Sequence, residues 1–457
     1  MGLLGAGDII GNGIYYHWYL DSFSGFTFRY YGFEWVRPLP EPFLSLFFIV
    51  GFLLGIAVAL GWRFRYTAPA FALCFSYLYF LEKAHYLNHA YLFMTLCWLL
   101  CLTPAWREFS LDVRRRPENW SPVAPAWSVY VFPALMGVVY FFGGVAKMNY
   151  DWLIEAMPLH MWLQNRGEMF LLGPLFKLKI TAYVMAWGGM LLDLTAGFLL
   201  LHKRLRWVAL GLLLFFHATN HLIFNIGIFP YLSMVLTSLY FAPDWPKRFV
   251  DWLASAKWNW ATSFGVGGPN VSRVQGWRDG WQGTVAPTPE HRTGDLAKNI
   301  PFWQGRSPYR VVIVAGLLLL FTVELFLPLR HNYFASDVNW TEVGHRYSWR
   351  MMLRSKQGYG KYRLVDQATG EEWKVDPRDS LNAKQVRKMA THPGMILQYA
   401  HHLHDEYAEQ GREVAVYADF TVRLNGRRRQ RFTDDTVDLA RREWTWREND
   451  WVLPEAR

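Results

Sequence analysis

The sequence is poor in cysteine and in charge. Its three cysteines, Cys74, Cys97 and Cys101, all lie inside apolar runs, so the C-terminal third has no thiol with which to build a disulfide framework. Cys97 and Cys101 share a helix face, and we interpret them as packing residues because a thiol behaves as a small hydrophobe. Charged residues make up 18% of the chain, below the roughly 25% of soluble domains.

The low charge is unevenly distributed. Apolar blocks fill residues 42–328 and a charged tail follows residue 330, although 52% of the whole chain is hydrophobic and 18% is aromatic. The net charge of +10 comes from basic residues that cluster in short loops between the apolar runs. That distribution is typical of membrane topology and not of nucleic-acid binding. The first ten residues, MGLLGAGDII, are too short and lack the basic start of a cleavable signal peptide.

The apolar blocks are long enough to cross a bilayer, which needs about 20 residues. The predicted spans are 42–62, 67–84, 87–104, 126–146, 180–201, 206–225, 227–242 and 311–328. Residues 150–175 mix aromatic, Gly and Pro residues and are predicted to form an interfacial or re-entrant segment. If the first span runs inward, the basic loops, including 243–310, face the cytoplasm. The end of span 126–146 and the tail then lie on the opposite side.

The tail is predicted to be a small α+β domain. Residues 361–376 and 413–434 each read as a β-hairpin, the second with Asn425 and Gly426 at its turn. Residues 383–407 between them read as a helix broken before Pro393. The sequence thus predicts a polytopic α-helical membrane protein with a C-terminal extramembrane α+β domain. Its divisions are an interfacial segment at 1–41, a membrane domain at 42–328 and an exported, β-rich domain at 329–457.

Polar residues gather at one end of several predicted spans. They are Glu82, Lys83, His85, Asn88, His89, Lys147, Asn149, Asp151, His217, Asn220, His221, Asn225 and Glu324, with Asp193 nearer mid-span. Each has an ordinary reading: Lys147 snorkels to the headgroups, Asp151 pairs with it across one helical turn, and the stripe beginning at His217 bonds between helices. Their convergence at one membrane face favours function, because polar groups in hydrocarbon are expensive.

Two spacings favour a metal site instead. His85 and His89, like His217 and His221, are four residues apart, and on helices each pair would place two imidazoles on one face. Membrane di-iron oxygenases use such pairs but need more histidines. The adjacent pair that they would also require occurs here in the tail alone, at His401 and His402. A histidine-box oxygenase therefore stays an alternative interpretation.

Several stretches in order resemble the vitamin K-dependent gamma-glutamyl carboxylase family, and more closely its bacterial relatives with the HTTM domain. They are FRYYGFEWVRPLPEP (28–42), YLNHAYLF (86–93), YFFGGVAKMNYDWL (140–153), LLDLTAGFLL (191–200), FFHATNHLIFNIGIFPYLSM (215–234) and YSWRMMLRSK (347–356). The resemblance covers about residues 15–453. It implies that a base deprotonates reduced vitamin K, that oxygen converts the quinol to its epoxide, and that the strongly basic species formed on the way removes a γ-hydrogen from glutamate, which then takes up CO2.

The resemblance also assigns residues. The catalytic base falls on Lys147, and the histidine that assists the carbanion or CO2 step falls on His89. Ordinary lysine is a poor base at neutral pH, and a dry environment disfavours its ammonium form. The quinone pocket falls on Asn88, Phe229, Trp349, Met351 and Met352, while the supporting positions are His217, Asn220, His221 and Asp151. Asp193, in LLDL, is expected to make a structural hydrogen bond.

The resemblance sets the remaining expectations. The co-substrates are O2 and CO2, no metal is expected, and the partners are the lipid bilayer, a naphthoquinol and a glutamate-containing protein or peptide, without nucleic acid. The location implied is the bacterial inner membrane with the site facing the periplasm. The family's first helix appears missing or truncated before GNGIYYHWYL. Arg350 and Arg354 replace Asp and His of the animal enzymes, so a quinol epoxidase without carboxylation, or a non-catalytic quinone- or lipid-binding protein, remains open.

Overall fold

The fold is a helical membrane bundle joined to a C-terminal domain built on one antiparallel sheet. The computed structural model describes residues 1–11, 26–40, 42–121, 124–224, 226–246, 248–249, 252 and 310–456. Its membrane part contains α1 (Gly2–Gly11), α2 (Phe43–Leu60), α3 (Phe64–Leu81), α4 (Asn88–Leu102), α5 (Leu111–Arg115), α6 (Ala126–Ala146), α7 (Tyr150–Leu153), α8 (Leu159–Gln164), α9 (Gly173–Phe176), α10 (Lys179–Leu201), α11 (Leu205–Ile223), α12 (Phe229–Ser238) and α13 (Arg310–Phe326).

Each of the eight predicted spans coincides with one of these helices. By length and mean hydropathy, four segments within the described residues suffice to cross a membrane: α2, α6, α10 and Arg310–Tyr333, which contains α13. The helices α3, α4, α11 and α12 are shorter or less apolar, because polar residues interrupt their runs or turns end them early. The predicted interfacial segment after α6 forms the short helices α7, α8 and α9.

The N-terminal residues differ from the expectation of an interfacial segment. They form α1, which packs along α2 so closely that a Cβ on Gly2 would lie 2.2 Å from the carbonyl oxygen of Gly55. Ile9 is buried in the same apolar core as Leu44 and Phe48 of α2. Glycine therefore permits this helix pair to approach, and α1 belongs to the bundle. GNGIYYHWYL after its first residue, most of the loop 243–310 and Asn225 lie outside the described residues.

Close packing of α6 against α10 brings the ends of both helices under the C-terminal domain. A Cβ on Gly144 would lie 2.7 Å from the backbone nitrogen of Leu194, so only glycine allows this contact. The same crossing places Lys147, which caps α6, beside Asp193 of α10. Small residues at helix interfaces generally allow the backbones of two membrane helices to approach closely.

The C-terminal domain follows the predicted pattern. It contains α14 (Val338–Thr341), β1 (Lys356–Asp366), β2 (Glu372–Val375), α15 (Ala383–Met389), α16 (Pro393–Glu409), β3 (Val414–Leu424) and β4 (Gln430–Arg431), with sheet order β2-β1-β3-β4. Both hairpins are antiparallel, and Asn425 and Gly426 take positive φ at the second turn. The predicted helix is interrupted before Pro393, which starts α16. Alternate residues of β3, such as Val416 and Phe420, face the domain core against α16.

Buried polar contacts fix the domain to the bundle. Asp151 of α7 accepts a hydrogen bond of 2.6 Å from the side chain of Asn425 and pairs with Arg427. On the other flank, Glu82 after α3 accepts a hydrogen bond of 3.0 Å from the side chain of Gln385 on α15. These contacts hold α15 and the β3–β4 turn over the membrane bundle and enclose the space between them.

Candidate functional site

A cavity of about 740 Å³ lies between the bundle and the C-terminal domain. Its membrane wall is formed by parts of α3, α4, α6, α11 and α12 and by the middle of α10, and its domain wall by residues 345–356, α15 and the start of α16. The membrane wall is rich in aromatic and aliphatic side chains, including Trp152, Phe216 and Phe224. This is the one place where most of the predicted site residues converge.

Lys147 lies in the membrane wall and is 7% exposed. Its Nζ donates hydrogen bonds to Asp193 Oδ2 at 2.6 Å and to the carbonyl oxygen of Gly143 at 3.1 Å. It also lies 5.9 Å from the ring centre of Trp152. Since an ammonium has three N–H donors, one position remains for a ligand in the cavity. The amine is thus held by fixed partners inside the cavity. A snorkelling lysine would instead extend toward the lipid headgroups.

Asn88 and His89 begin α4 and both line the cavity. The amide nitrogen of Asn88 donates to the carbonyl oxygen of Arg350 at 3.1 Å, and its carbonyl accepts from the hydroxyl of Tyr86 at 2.9 Å. His89 lies 6.2 Å, ring centre to ring centre, from Phe229. Asn88 therefore joins α4 to the 347–352 segment and leaves the adjacent imidazole facing the cavity.

Besides Asn88, three of the predicted quinone-pocket residues line the cavity: Phe229, Met351 and Met352. Trp349 does not: it is fully buried behind the wall and packs 5.5 Å from Tyr91. Tyr347, Trp349 and Met352 all have φ between 53° and 57°. Left-handed backbone in bulky residues is strained and is concentrated at functional sites. This strained turn presents the two methionines to the cavity.

The predicted supporting residues separate into two groups. His217 and Asn220 line the cavity, and His217 Nε2 lies 3.1 Å from the hydroxyl of Tyr140. His221, one turn further along α11, is exposed and lies outside the cavity lining, and its Nε2 is 3.2 Å from the hydroxyl of Tyr231. Asp151 also lies outside the cavity lining and serves the domain contact in place of the predicted pairing with Lys147.

The two His-x-x-x-His pairs take different positions in the structure. His85 ends a short 3-10 turn before α4 begins, so it does not share a helix face with His89, and on α11 His217 is buried whereas His221 is exposed. Among the residues that the structure describes, no group of three His, Cys, Asp or Glu side chains is placed to hold an ion. His401 of the tail lies near the carbonyl oxygen of Arg442, away from the cavity.

The sequence pointed to Asp151 as the partner of Lys147 where the structure has Asp193, and it did not reveal the basic side chains of the domain wall. A carboxyl near mid-span is itself a signal, because an intramembrane ionisable group is a functional hypothesis by default. The wall cations Lys356, Lys384 and Lys388 gave no signal, since they read as solvated faces of a strand and a helix. Only the docking of the domain shows that they face the cavity.

Comparison with known protein families covers both parts of the chain. The HTTM domain model matches residues 1–245, and the lumenal domain of vitamin K-dependent gamma-carboxylase matches residues 309–457. No solved structure gives a significant match. The first match starts at residue 1, in agreement with α1 being part of the bundle. The chain therefore belongs to the vitamin K-dependent gamma-carboxylase family, as a member that carries the HTTM domain.

Proposed function

We propose that this membrane protein oxygenates a reduced naphthoquinol to its epoxide and couples that reaction to carboxylation of an acidic carbon, such as that of glutamate. The observation that carries the proposal is the buried Lys147, whose Nζ is fixed by Asp193 and Gly143 inside an apolar cavity wall. The family supports carboxylase-like chemistry. Its acceptor, its quinol and the epoxidation are part of this proposal.

The cavity fits a naphthoquinol of the vitamin K class. Its volume of about 740 Å³ falls within the usual range of small-molecule sites. Phe229 and the flexible side chains of Met351 and Met352 suit a large apolar ring, and Asn88 stands beside them. The membrane helices that form the wall give a lipid-soluble molecule a short path from the bilayer. When bound, the quinol supplies the electrons for reduction of oxygen.

Lys147 is the base for the quinol hydroxyl in this proposal. Asp193 is the proton acceptor beside the amine, because its Oδ2 accepts a hydrogen bond from Nζ. Moving one proton along the 2.6 Å hydrogen bond from Nζ to Asp193 Oδ2 frees the amine. The amine then accepts the proton of the quinol hydroxyl, at a position that Gly143 also fixes.

His89 acts on the acceptor side. Its imidazole lines the same cavity as Lys147 and lies beside Phe229. As a general acid or base it is suited to assist the carbanion or CO2 step. The domain above the cavity and the basic loops on the opposite side support a location in the bacterial inner membrane, with the site facing the periplasm.

The test uses purified protein in detergent with reduced vitamin K, oxygen, labelled bicarbonate and a glutamate-rich peptide. Quinone epoxide and fixed label are measured together in the wild type, Lys147→Ala and His89→Ala. Lys179→Ala is the matched control, because Lys179 is exposed on α10. We expect epoxide and label in the wild type and the control, neither in Lys147→Ala, and epoxide with little label in His89→Ala.

Other outcomes discriminate between the alternatives. Epoxide without fixed label from every acceptor would replace the carboxylase with a quinol epoxidase. Equal turnover in Lys147→Ala and the wild type would remove the lysine from the chemistry. Quinol binding without any turnover would favour a non-catalytic quinone-binding protein over an enzyme.

A further inference from the structure

The domain wall of the cavity is strongly basic. Nine lysine and arginine side chains line the cavity, against the two aspartates Asp8 and Asp193, and the second of these is bound to Lys147. Apart from Lys147, the lysines and arginines form what we call the basic wall: Lys83, Arg346, Arg350, Arg354, Lys356, Lys384, Arg387 and Lys388. They come from the turn after α3, from residues 346–356 and from α15.

Acidic neighbours within the described residues neutralise only part of this charge. Glu342 pairs with Arg354 and, at 3.3 Å, with Lys356. The same carboxylate lies within 4 Å of a ring nitrogen of His345 and of His392. Its single charge is therefore shared among four basic groups.

Glu82 is a second carboxylate beside the basic wall. It accepts hydrogen bonds from the side chain of Gln385 and from the backbone nitrogens of Phe28 and Ala84. These donors are neutral, so the charge of Glu82 still acts on Lys83 and Lys384. Four carboxylates, Glu34, Glu82, Asp337 and Glu342, thus act on the eight cations of the basic wall, which keeps an excess of positive charge.

Several of these cations are withdrawn from water. Lys83 is 5% exposed and Arg350 is 6% exposed, and Arg350 Nε has no hydrogen-bond partner within the described residues. On α15, Lys384 and Lys388 lie one turn apart and face the cavity together. Burying like charges at this spacing is unfavourable unless an anion offsets them.

The pKa values of the wall lysines reflect this arrangement. Burial, with help from Lys388 and Arg387, lowers the pKa of Lys384 to about 7. Burial and the charge of Arg354 lower the pKa of Lys388 to about 8. An anion placed between these groups would favour their charged forms and reverse both effects.

A helix also points its positive end at the basic wall. The 17-residue α16 begins with Pro393, and its capping residue His392, with Thr391 and Met395, lines the cavity. The side chain of His392 does not cap the helix. Free N–H groups and the helix dipole at such an end favour negative charge.

We propose that the basic wall binds a multivalent oxyanion of the phosphate type, a phosphomonoester or a diphosphate, carried by the acceptor molecule. A single carboxylate would offset only part of this excess, whereas a phosphate group concentrates two or more charges and several acceptor oxygens within a few ångströms. Arginine and lysine together suit such a group. The inference deepens the proposed function, since it names the chemistry of the acceptor. The anion is part of a lipid headgroup or of a soluble molecule.

The test measures binding without quinol or oxygen. Isothermal titration of the full chain in detergent uses inorganic pyrophosphate, inorganic phosphate and acetate. The same protein is then placed in phosphatidylcholine nanodiscs with or without phosphatidic acid, which carries a phosphomonoester headgroup. Pyrophosphate binding at least tenfold tighter than acetate binding supports the soluble form. Binding of phosphatidic acid in the nanodiscs, without binding of soluble pyrophosphate, supports the lipid form.

Two variants make the result specific. Lys384→Gln with Lys388→Gln is expected to weaken pyrophosphate or phosphatidic acid binding at least tenfold, while Lys384→Arg with Lys388→Arg retains it. Lys374→Gln is the control, because Lys374 is an exposed lysine on β2 and does not line the cavity. Retained thermal unfolding temperature verifies the fold of each variant.

The outcomes separate this inference from the proposed function. No binding by the wild type, or equal binding by the wild type and the folded glutamine variant, overturns the oxyanion site. A wild type that binds pyrophosphate but forms no quinone epoxide overturns the proposed function and leaves the oxyanion site standing.

Discussion

Lys147 Nζ and Asp193 Oδ2 are 2.6 Å apart in an ion pair whose two side chains are 9% and 7% exposed. The pair joins the end of α6 to the middle of α10, and the missing side chain at Gly144 permits the two helices to approach. A buried ion pair is weak evidence for stability, because well-packed apolar residues often replace it at no loss. Its retention inside a cavity fits a chemical role better than a structural one.

Variants of this pair separate stability from activity. Asp193→Asn should reduce epoxide formation by about 10²–10⁴-fold, the usual contribution of general-base catalysis. Asp193→Ala should also destabilise the fold by about 3–5 kcal/mol, because it leaves a buried charge without its partner. Epoxide assays and thermal unfolding in detergent measure the two effects.

The double variant Lys147→Met with Asp193→Leu is the matched control. It should restore the unfolding temperature to near that of the wild type and remain inactive. Activity in this double variant, or a wild-type epoxide rate in Asp193→Asn, would contradict the assignment of Lys147 as the base.

The contact between Asp151 and the β3–β4 turn is predicted to hold the C-terminal domain in place. Asp151→Ala removes the acceptor of Asn425 and Arg427 and should destabilise the protein by about 1–3 kcal/mol, the cost of buried donors left unsatisfied. Limited proteolysis should then cut the turn at Arg427 or Arg428 sooner than in the wild type.

Glu168→Ala serves as the comparison for Asp151→Ala. Glu168 also forms an ion pair, with Lys177, but its side chain is 96% exposed. Exposed pairs contribute little, so this variant should unfold and be cleaved like the wild type. Equal behaviour of the two variants would mean that the Asp151 contact does not fix the domain.

The sequence predicted the elements of this fold better than their contacts. The length of the apolar runs located the helices of all eight predicted spans, and the Asn425–Gly426 pair located the second hairpin turn. Both features depend on local chemistry. Asp151 was expected to pair with Lys147, four residues away, yet its partners are Asn425 and Arg427, more than 270 residues away. Such pairings depend on domain docking, which no local pattern encodes.

The candidate site shows the same division. Residues in the resembling motifs, such as Lys147, His89 and Phe229, do meet in one cavity. The side chains of Trp349 and His221 do not line it: Trp349 is fully buried elsewhere, and His221 is exposed one helical turn beyond His217. The basic wall came from α15 and residues 346–356, whose positive charges have no periodic signature.

The strained turn in the 347–352 segment yields a stability prediction. At Met352, with φ of 53° and 40% exposure, glycine adopts the backbone freely whereas alanine retains the strain. Met352→Gly should therefore be about 1 kcal/mol more stable than Met352→Ala. Both variants should raise the quinol KM, because both remove a side chain from the cavity wall.

Met148 provides the control pair. It is 59% exposed and its φ is not positive, so Met148→Gly should be no more stable than Met148→Ala. Chemical or thermal unfolding of the four variants gives the comparison. The same order at both positions would show that Met352 carries no backbone strain.

The lowered pKa values of the wall lysines predict a dependence on pH. Lys384 faces the charges of Lys388, Arg387 and Glu82. Lys388 faces those of Arg354, Glu342, Arg346 and Arg387. The pKa of Lys356 is lowered to about 8, chiefly by burial, and this lysine faces Glu342, Arg354 and Asp337. Between pH 7 and 10 the unfolded chain binds more protons at these lysines than the folded one. Their contribution to the free energy of unfolding therefore rises with pH across that window.

Oxyanion binding is expected to show the opposite dependence on pH. It requires the charged lysines, so pyrophosphate affinity should fall as the pH rises from 6.5 to 9, and binding at pH 8 should take up protons. Titration calorimetry at pH 8 in buffers of different ionisation enthalpy measures that uptake. The variant Lys384→Gln with Lys388→Gln should take up fewer protons and show a smaller rise of unfolding temperature with pH, whereas Lys374→Gln should match the wild type in both. Identical proton uptake in all three proteins would place the titrating groups outside the basic wall.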